Sequence, residues 1–239
     1  MMHLLSALLP MLLVFNQGGC MRESILGGHE AKPHSRPYMV YILYKMNSQW
    51  ASCDGFLVRE DFVMTAAHCK GHTMLIFPGV HNTSDINPDS RLKGTPHVHP
   101  EYSSDRANDI MLLKLSPNVT LNNWVKLLHL PQTENESALT TDCLVPGWGA
   151  TSLDEIGSKV LREVNVTVDP SLNCDTSKSI CTKGPRGPYK GDSGGPLICG
   201  NVAYGVVSAC HTDHKTYTYS YTRIAHSHHW INQIMTPLH

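Results

Sequence analysis

A chain of 239 residues with 19 Lys plus Arg against 20 Asp plus Glu carries a formal net charge of −1, which gives no electrostatic case for nucleic acid or an anionic membrane as the main partner. The length suffices for one large all-β unit or two small domains sharing an interface, with a core able to support an enzyme. Eight cysteines without any Cys-x-x-Cys pair suit an oxidising compartment better than a zinc module.

Along the chain, Leu4 to Phe15 is an apolar run broken only by Ser6 and Pro10 and followed by Gly18 and Gly19, so a signal peptide is expected over residues 1–20. The run is shorter than the roughly 20 residues of a spanning helix, and no later segment approaches that length, so no membrane span is expected. Asn82, Asn118, Asn135 and Asn165 are glycosylation sequons that fit a secretory route. After residue 25 the pattern is short β-rich runs between turn residues: Tyr38 to Tyr44, Gly55 to Val58, Thr73 to Phe77, Val160 to Val168 and Val202 to Val207. Such spacing predicts an all-β sandwich or barrel. The polar stretch Pro131 to Asp142 is the expected connection between two halves, about 25–130 and 131–225, and the one helix is expected near His228 to Met235.

Three segments carry chemistry: Thr65-Ala66-Ala67-His68-Cys69, Asn108-Asp109-Ile110-Met111-Leu112-Leu113-Lys114-Leu115, and Gly191-Asp192-Ser193-Gly194-Gly195-Pro196. A serine hydroxyl is a poor nucleophile at neutral pH and needs a neutral imidazole to accept its proton, a role open to His68. A buried carboxylate fixes the imidazole tautomer, and Asp109 stands just before an apolar strand. Glycines around Ser193 leave backbone amides of Gly191 and Ser193 free to face a developing oxyanion.

Together, in this order, the three segments resemble the chymotrypsin-like serine proteases from Ile25 to the C-terminal helix. The resemblance implies two antiparallel six-stranded β-barrels with the active site in the cleft between them, and His68, Asp109 and Ser193 as catalytic triad. It implies a zymogen, with residues 21–24 as activation propeptide, 25–239 as peptidase domain, and a new Ile25 ammonium pairing with Asp192. Ser24 before Ile25 argues against a trypsin-like activator. Pro33-His34-Ser35-Arg36-Pro37-Tyr38-Met39 looks like the granzymes and mast-cell proteases, which places the protein in the secreted or granule-stored class. Carried over residue by residue, the disulfides are Cys53 with Cys69, Cys143 with Cys199, and Cys174 with Cys181, leaving a free thiol expected at Cys210 beside the substrate backbone.

In the specificity pocket the resemblance puts Gly187 at the base, Ser208 and Cys210 along the wall, Tyr219 at the back and Lys190 on the rim. Without an acid at Gly187, cleavage after Arg or Lys loses its charge partner, and Tyr219 favours small or medium apolar residues. Protein or peptide substrates and serpin-type inhibitors are the implied partners of a monomer. His211, His214, His226, His228, His229 and His239 gather near the end of the chain. No carboxylate or cysteine completes a zinc set, so no metal or cofactor is expected. Protonated in an acidic granule, these histidines would hold a sulfated proteoglycan. The competing reading is a catalytically silent relative acting as a heparin-binding or antimicrobial protein. A non-proteolytic esterase is weaker, because no Gly-x-Ser-x-Gly elbow surrounds Ser193.

Overall fold

A computed structural model describes residues 27–134, 141–150, 157–172, 174–213 and 216–236. Its strands in chain order are β1 (His29–Glu30), β2 (Met39–Met46), β3 (Gln49–Arg59), β4 (Phe62–Thr65), β5 (Thr73–Pro78), β6 (Lys93–Val98), β7 (Met111–Ser116), β8 (Asp142–Gly147), β9 (Arg162–Thr167), β10 (Ser179–Lys183), β11 (Pro196–Cys199), β12 (Val202–Asp213) and β13 (Thr216–Arg223). One helix, α1 (His228–Met235), follows. No helix among the described residues is long and apolar enough to cross a membrane.

The strands form a six-stranded sheet, β5-β2-β3-β4-β7-β6, and a seven-stranded sheet, β1-β9-β8-β11-β12-β13-β10. All named pairs are antiparallel, as short connections between consecutive strands allow. Each sheet curls until its ends meet: Ile76 bridges Leu92 beside β6, and Val168 after β9 bridges Thr182 of β10. Closure into a barrel removes exposed edges and buries one side-chain face of every strand. Val40, Ile42, Phe56, Val63, Leu112 and Leu113 fill the first barrel, and Val145, Val164, Leu197, Tyr219 and Tyr221 the second.

The two-residue β1 departs from a simple division into halves. His29 and Glu30 pair with Glu163 and Arg162 of β9, so the beginning of the first half completes the second sheet. Ala31, Met39, Trp148 and Leu161 form a small apolar cluster at that seam, with Trp148 Nε1 donating to the His81 carbonyl at 3.0 Å. At the other end, Trp230 and Ile231 of α1 join the core of the first barrel, and Trp230 packs on His99 at 4.9 Å between ring centroids. Residues 135–140 of the expected connection lie outside the described residues, as do Asn135, His214 and His239.

Candidate active site

His68 lies in a 3-10 turn, Ala67–Cys69, directly after β4, and the Cys53–Cys69 disulfide ties that turn back to β3. Asp109 stands two residues before β7, at the end of a loop that reverses through left-handed Arg106 (φ 68°) and Asn108 (φ 52°). The fold joins the two: the Asp109 carboxylate accepts the His68 amide at 2.9 Å through Oδ1, and Oδ2 lies 2.7 Å from His68 Nδ1. Ser208 Oγ donates to the same Oδ2 at 2.6 Å, and Thr222 Oγ1 holds the Asp109 carbonyl at 3.0 Å. Asp109 is completely buried. Burial alone would push its carboxyl up, but the hydrogen bonds and charge from His68 and the bond from Ser208 outweigh it and hold the group below the usual carboxylate range.

An ionised Asp109 can only accept hydrogen bonds, so the proton between it and His68 belongs to Nδ1. Nε2 is then left as the basic nitrogen. The Cys53 and Cys69 sulfurs also lie near His68, but they are bonded to each other and supply no thiolate for a metal.

Ser193 sits in a turn that requires glycine at two places. Gly191 has φ 102° and Gly194 φ 85°, and a Cβ on Gly194 would collide with Thr65 Oγ1 and the Asp54 carbonyl. The Ser193 carbonyl accepts the Asp54 amide at 2.8 Å, and Gly194 N donates to the Val207 carbonyl at 2.9 Å, which fastens the turn to both barrels. A cavity of about 490 Å³ opens over Ser193, lined also by Arg106, Pro188, Tyr189, Lys190, Ser208 and Cys210. Lys190 is exposed at its rim, with Nζ 5.8 Å from the Tyr189 ring centre.

Gly187 and Tyr219 are in direct opposition. Tyr219 is fully buried, and a Cβ on Gly187 would overlap its ring. Neither residue lines the cavity, although the neighbouring Pro188 and Tyr189 do. The tyrosine therefore occupies the space above the expected base.

The expected disulfides Cys53–Cys69, Cys143–Cys199 and Cys174–Cys181 are all present. The free thiol expected at Cys210 is not what the structure holds, where Cys210 is disulfide-bonded. Composition could not reveal this, because a bridge depends on which chains the fold brings within bonding distance.

Ile25 lies outside the described residues, while Asp192 is fully buried. Its Oδ1 accepts Gly149 N and its Oδ2 accepts Tyr189 N, both at 2.7 Å. A Cβ on Gly147 or Gly149 would run into this carboxylate. Sequence reasoning missed Asp54, whose fully buried carboxylate also reaches Gly147 and accepts Trp148 N at 3.1 Å. It also missed Arg106, whose guanidinium lies 3.0 Å from His68 Nδ1 and donates to the Ser208 carbonyl. The available signals were an acid inside the apolar run of β3 and a cation three residues before Asp109.

The family model described as Trypsin matches residues 25–231. The chain belongs to the trypsin family. It is a serine endopeptidase of that family, and its similarity extends to the granule proteases. It is 40% identical to Duodenase-1 of Bos taurus over 88% of this chain and 89% of the bovine one. It is 39% identical to Chymase of Cavia porcellus over 95% and 97% of the two chains, and 37% identical to Granzyme B of Homo sapiens over 88% and 91%. The solved structure described as "Structure of GrC" superposes with a TM-score of 0.77 at 36% identity, covering 87% of this trypsin-family chain and 98% of that one.

Proposed function

We propose that this endopeptidase is secreted or stored in granules and cleaves peptide bonds through an acyl-enzyme on Ser193, with a preference for small or medium apolar residues at the cleaved position. The observation that carries the reading is the buried Asp109 carboxylate joined to His68 Nδ1 and Ser208 Oγ beside the cavity that holds Ser193. In this mechanism His68 Nε2 takes the Ser193 hydroxyl proton as Oγ attacks the scissile carbonyl. The amides of Gly191 and Ser193 stabilise the oxyanion, and the imidazolium returns its proton to the leaving amine. Water then repeats the sequence to release the acid.

Tyr219 supports the specificity, since its ring covers Gly187 and leaves the base with no room and no charge for an Arg or Lys side chain. Asp192, buried against Gly147 and Gly149, supports an activation step in which the ammonium of Ile25 is received after residues 21–24 are removed. Exposed His211, His226 and His229 support contact with a sulfated proteoglycan, and serpin-type inhibitors would enter the same cleft as substrate.

The test is a fluorophosphonate probe applied to the chain beginning at Ile25 and to the chain beginning at Met21, with Ser193→Ala as control, followed by a peptide-library digest. Labelling at Ser193 in the first chain only, with cuts after small apolar residues, is expected. A folded Ile25 chain that does not label would transfer the function to a silent, heparin-binding protein.

A further inference from the structure

The Ser208 carbonyl is in a special position. The pairing of β12 with β13 shifts register between Val207 and Ala209, so Ser208 is the bulged residue. A bulge leaves its residue out of the ladder and re-aims its groups. Here the Ser208 hydroxyl points inward to Asp109, while the carbonyl is taken by Arg106. A peptide running from Ser193 along this strand would need that carbonyl for its own N–H, because a bound chain satisfies its backbone on the strand edge beside it.

Arg106 is held over the cleft by its own loop. Its φ of 68° is one that glycine adopts freely and other residues adopt at a cost. Its amide donates to the Ser103 carbonyl at 2.9 Å, Asp105 Oδ1 gathers Ser103 Oγ and the Ala107 amide, and Asn108 Nδ2 holds the Glu101 carbonyl at 3.1 Å. The guanidinium lacks a carboxylate of its own among the described residues. Its nearest, Asp109 Oδ2 at 3.7 Å, is already engaged by His68 and Ser208. Of the residues lining the cavity, Asp105 is the sole acid, set against Arg106 and Lys190.

The geometry points to Arg106 as a latch and a specificity residue: it closes the Ser208 carbonyl in the substrate-free enzyme and is drawn aside by an acidic side chain on the substrate residue immediately preceding the cleaved one. With the cleaved residue's carbonyl over Ser193 and its N–H at Ser208, the preceding side chain passes beside His68, where the guanidinium lies. A carboxylate there forms a charge-assisted pair and frees the acceptor in one movement. A neutral or basic residue must displace the cation unaided, and leaves it beside the imidazole that becomes positive during reaction. This inference rests on the peptidase reading.

The test uses three fluorogenic peptides identical except for Glu, Gln or Lys at that preceding position. For the wild-type enzyme beginning at Ile25, kcat/KM is expected to favour Glu over Lys by about tenfold or more in low salt, with the ratio shrinking at ~1 M salt. Arg106→Ala should bring the ratio close to unity by raising the rates on Gln and Lys, and Arg106→Glu should invert it. The same ratios are read as Kd on Ser193→Ala, which binds without cutting. A flat wild-type ratio in both measurements, or a Glu preference that survives Arg106→Ala and so belongs to Lys190, overturns the latch. Peptides bound with the expected ratio but never cut would overturn the peptidase reading alone.

Discussion

Tyr219 illustrates how one side chain sets a boundary. Its ring stacks near Tyr217, at 6.4 Å between centroids and 17° between planes, and burial pushes its phenol up well beyond the ordinary value. The hydroxyl is buried without a hydrogen-bond partner among the described residues. An orphaned hydroxyl costs about 1–3 kcal/mol, so the site already carries a penalty that a smaller residue would remove. Tyr219→Gly should open the space above Gly187 and shift peptide-library cleavage toward large aromatic residues, by about tenfold or more relative to wild type. Gly187→Asp alone should not create cleavage after Arg, because the tyrosine stands over the position. An unchanged library profile for Tyr219→Gly would show that the ring does not limit the pocket. His68, Asp109 and Ser193 could be singled out in the sequence as candidates, because proton transfer at neutral pH restricts which residue types can do it, and the structure joins the first two at 2.7 Å. Arg106 and Asp54 could not, since a common polar residue acquires its role from where the fold delivers it.

At the scale of elements, α1 was readable to its observed bounds because Trp230 and Ile231 mark a buried face and the segment lies apart from the alternating strands. The five named runs each fell on an observed strand, but Val160 to Val168 outran β9 while the runs on β3 and β12 stopped short. β3 begins at Gln49, well before the expected Gly55, and β12 continues to Asp213, well past Val207. The β3 extension pairs with β2, Lys45 opposite Trp50, and meets β4 only from Phe56 on, and its first residues Gln49, Trp50 and Ala51 are exposed. Hydrogen bonding there no longer comes with an apolar face, and hydrophobic patterning loses its signal. The helix is fixed by a cluster equally hard to see in sequence. Arg59 at the end of β3 donates to Asp61 and to the Met235 carbonyl at the end of α1, and Lys114 of β7 also reaches Asp61. A cation on the terminal carbonyl complements the helix dipole. The hydrogen bond from Arg59, then Lys114, lowers the Asp61 carboxyl to about 2 despite partial burial. Its contribution is therefore present above the ordinary carboxylate range and is lost as pH falls from about 4 toward 2. Asp61→Asn should cost on the order of 1 kcal/mol at neutral pH, discounted for the half-exposed cations, and the cost should vanish near pH 2. Denaturant unfolding of both proteins across that range checks it, and a pH-independent difference would rule out the charge.

The whole molecule meets at a pair of acids. Asp54 comes from β3 of the first barrel and Asp192 from the loop before Ser193 in the second, and both carboxylates crowd the backbone at Gly147. Both are fully buried, and Asp54 Oδ1 has no hydrogen-bond partner among the described residues. Burial and then the neighbouring Asp192 raise the Asp54 carboxyl well above its ordinary value, while burial raises Asp192 to about 7 against the amides of Tyr189 and Gly149. The folded chain thus retains protons that the unfolded chain releases near pH 4. Between about pH 4 and 7 the folded state binds more protons, so the pair makes stability fall as pH rises. His99, lowered by burial beside Trp230, acts in the opposite sense below its ordinary value, so the pair must be isolated by difference. Asp54→Asn in a Ser193→Ala background should flatten the slope of melting temperature between pH 4.5 and 7.5 by several degrees, given roughly 2–4 °C per kcal/mol for a domain of this size. The flattening should be larger in the chain beginning at Met21 than in the chain beginning at Ile25, where an inserted ammonium would stabilise both carboxylates as anions. Parallel slopes for the Ser193→Ala parent and its Asp54→Asn derivative would mean that the two acids do not hold a proton between the barrels; equal flattening in the two chain lengths would mean that the new N-terminus does not reach them.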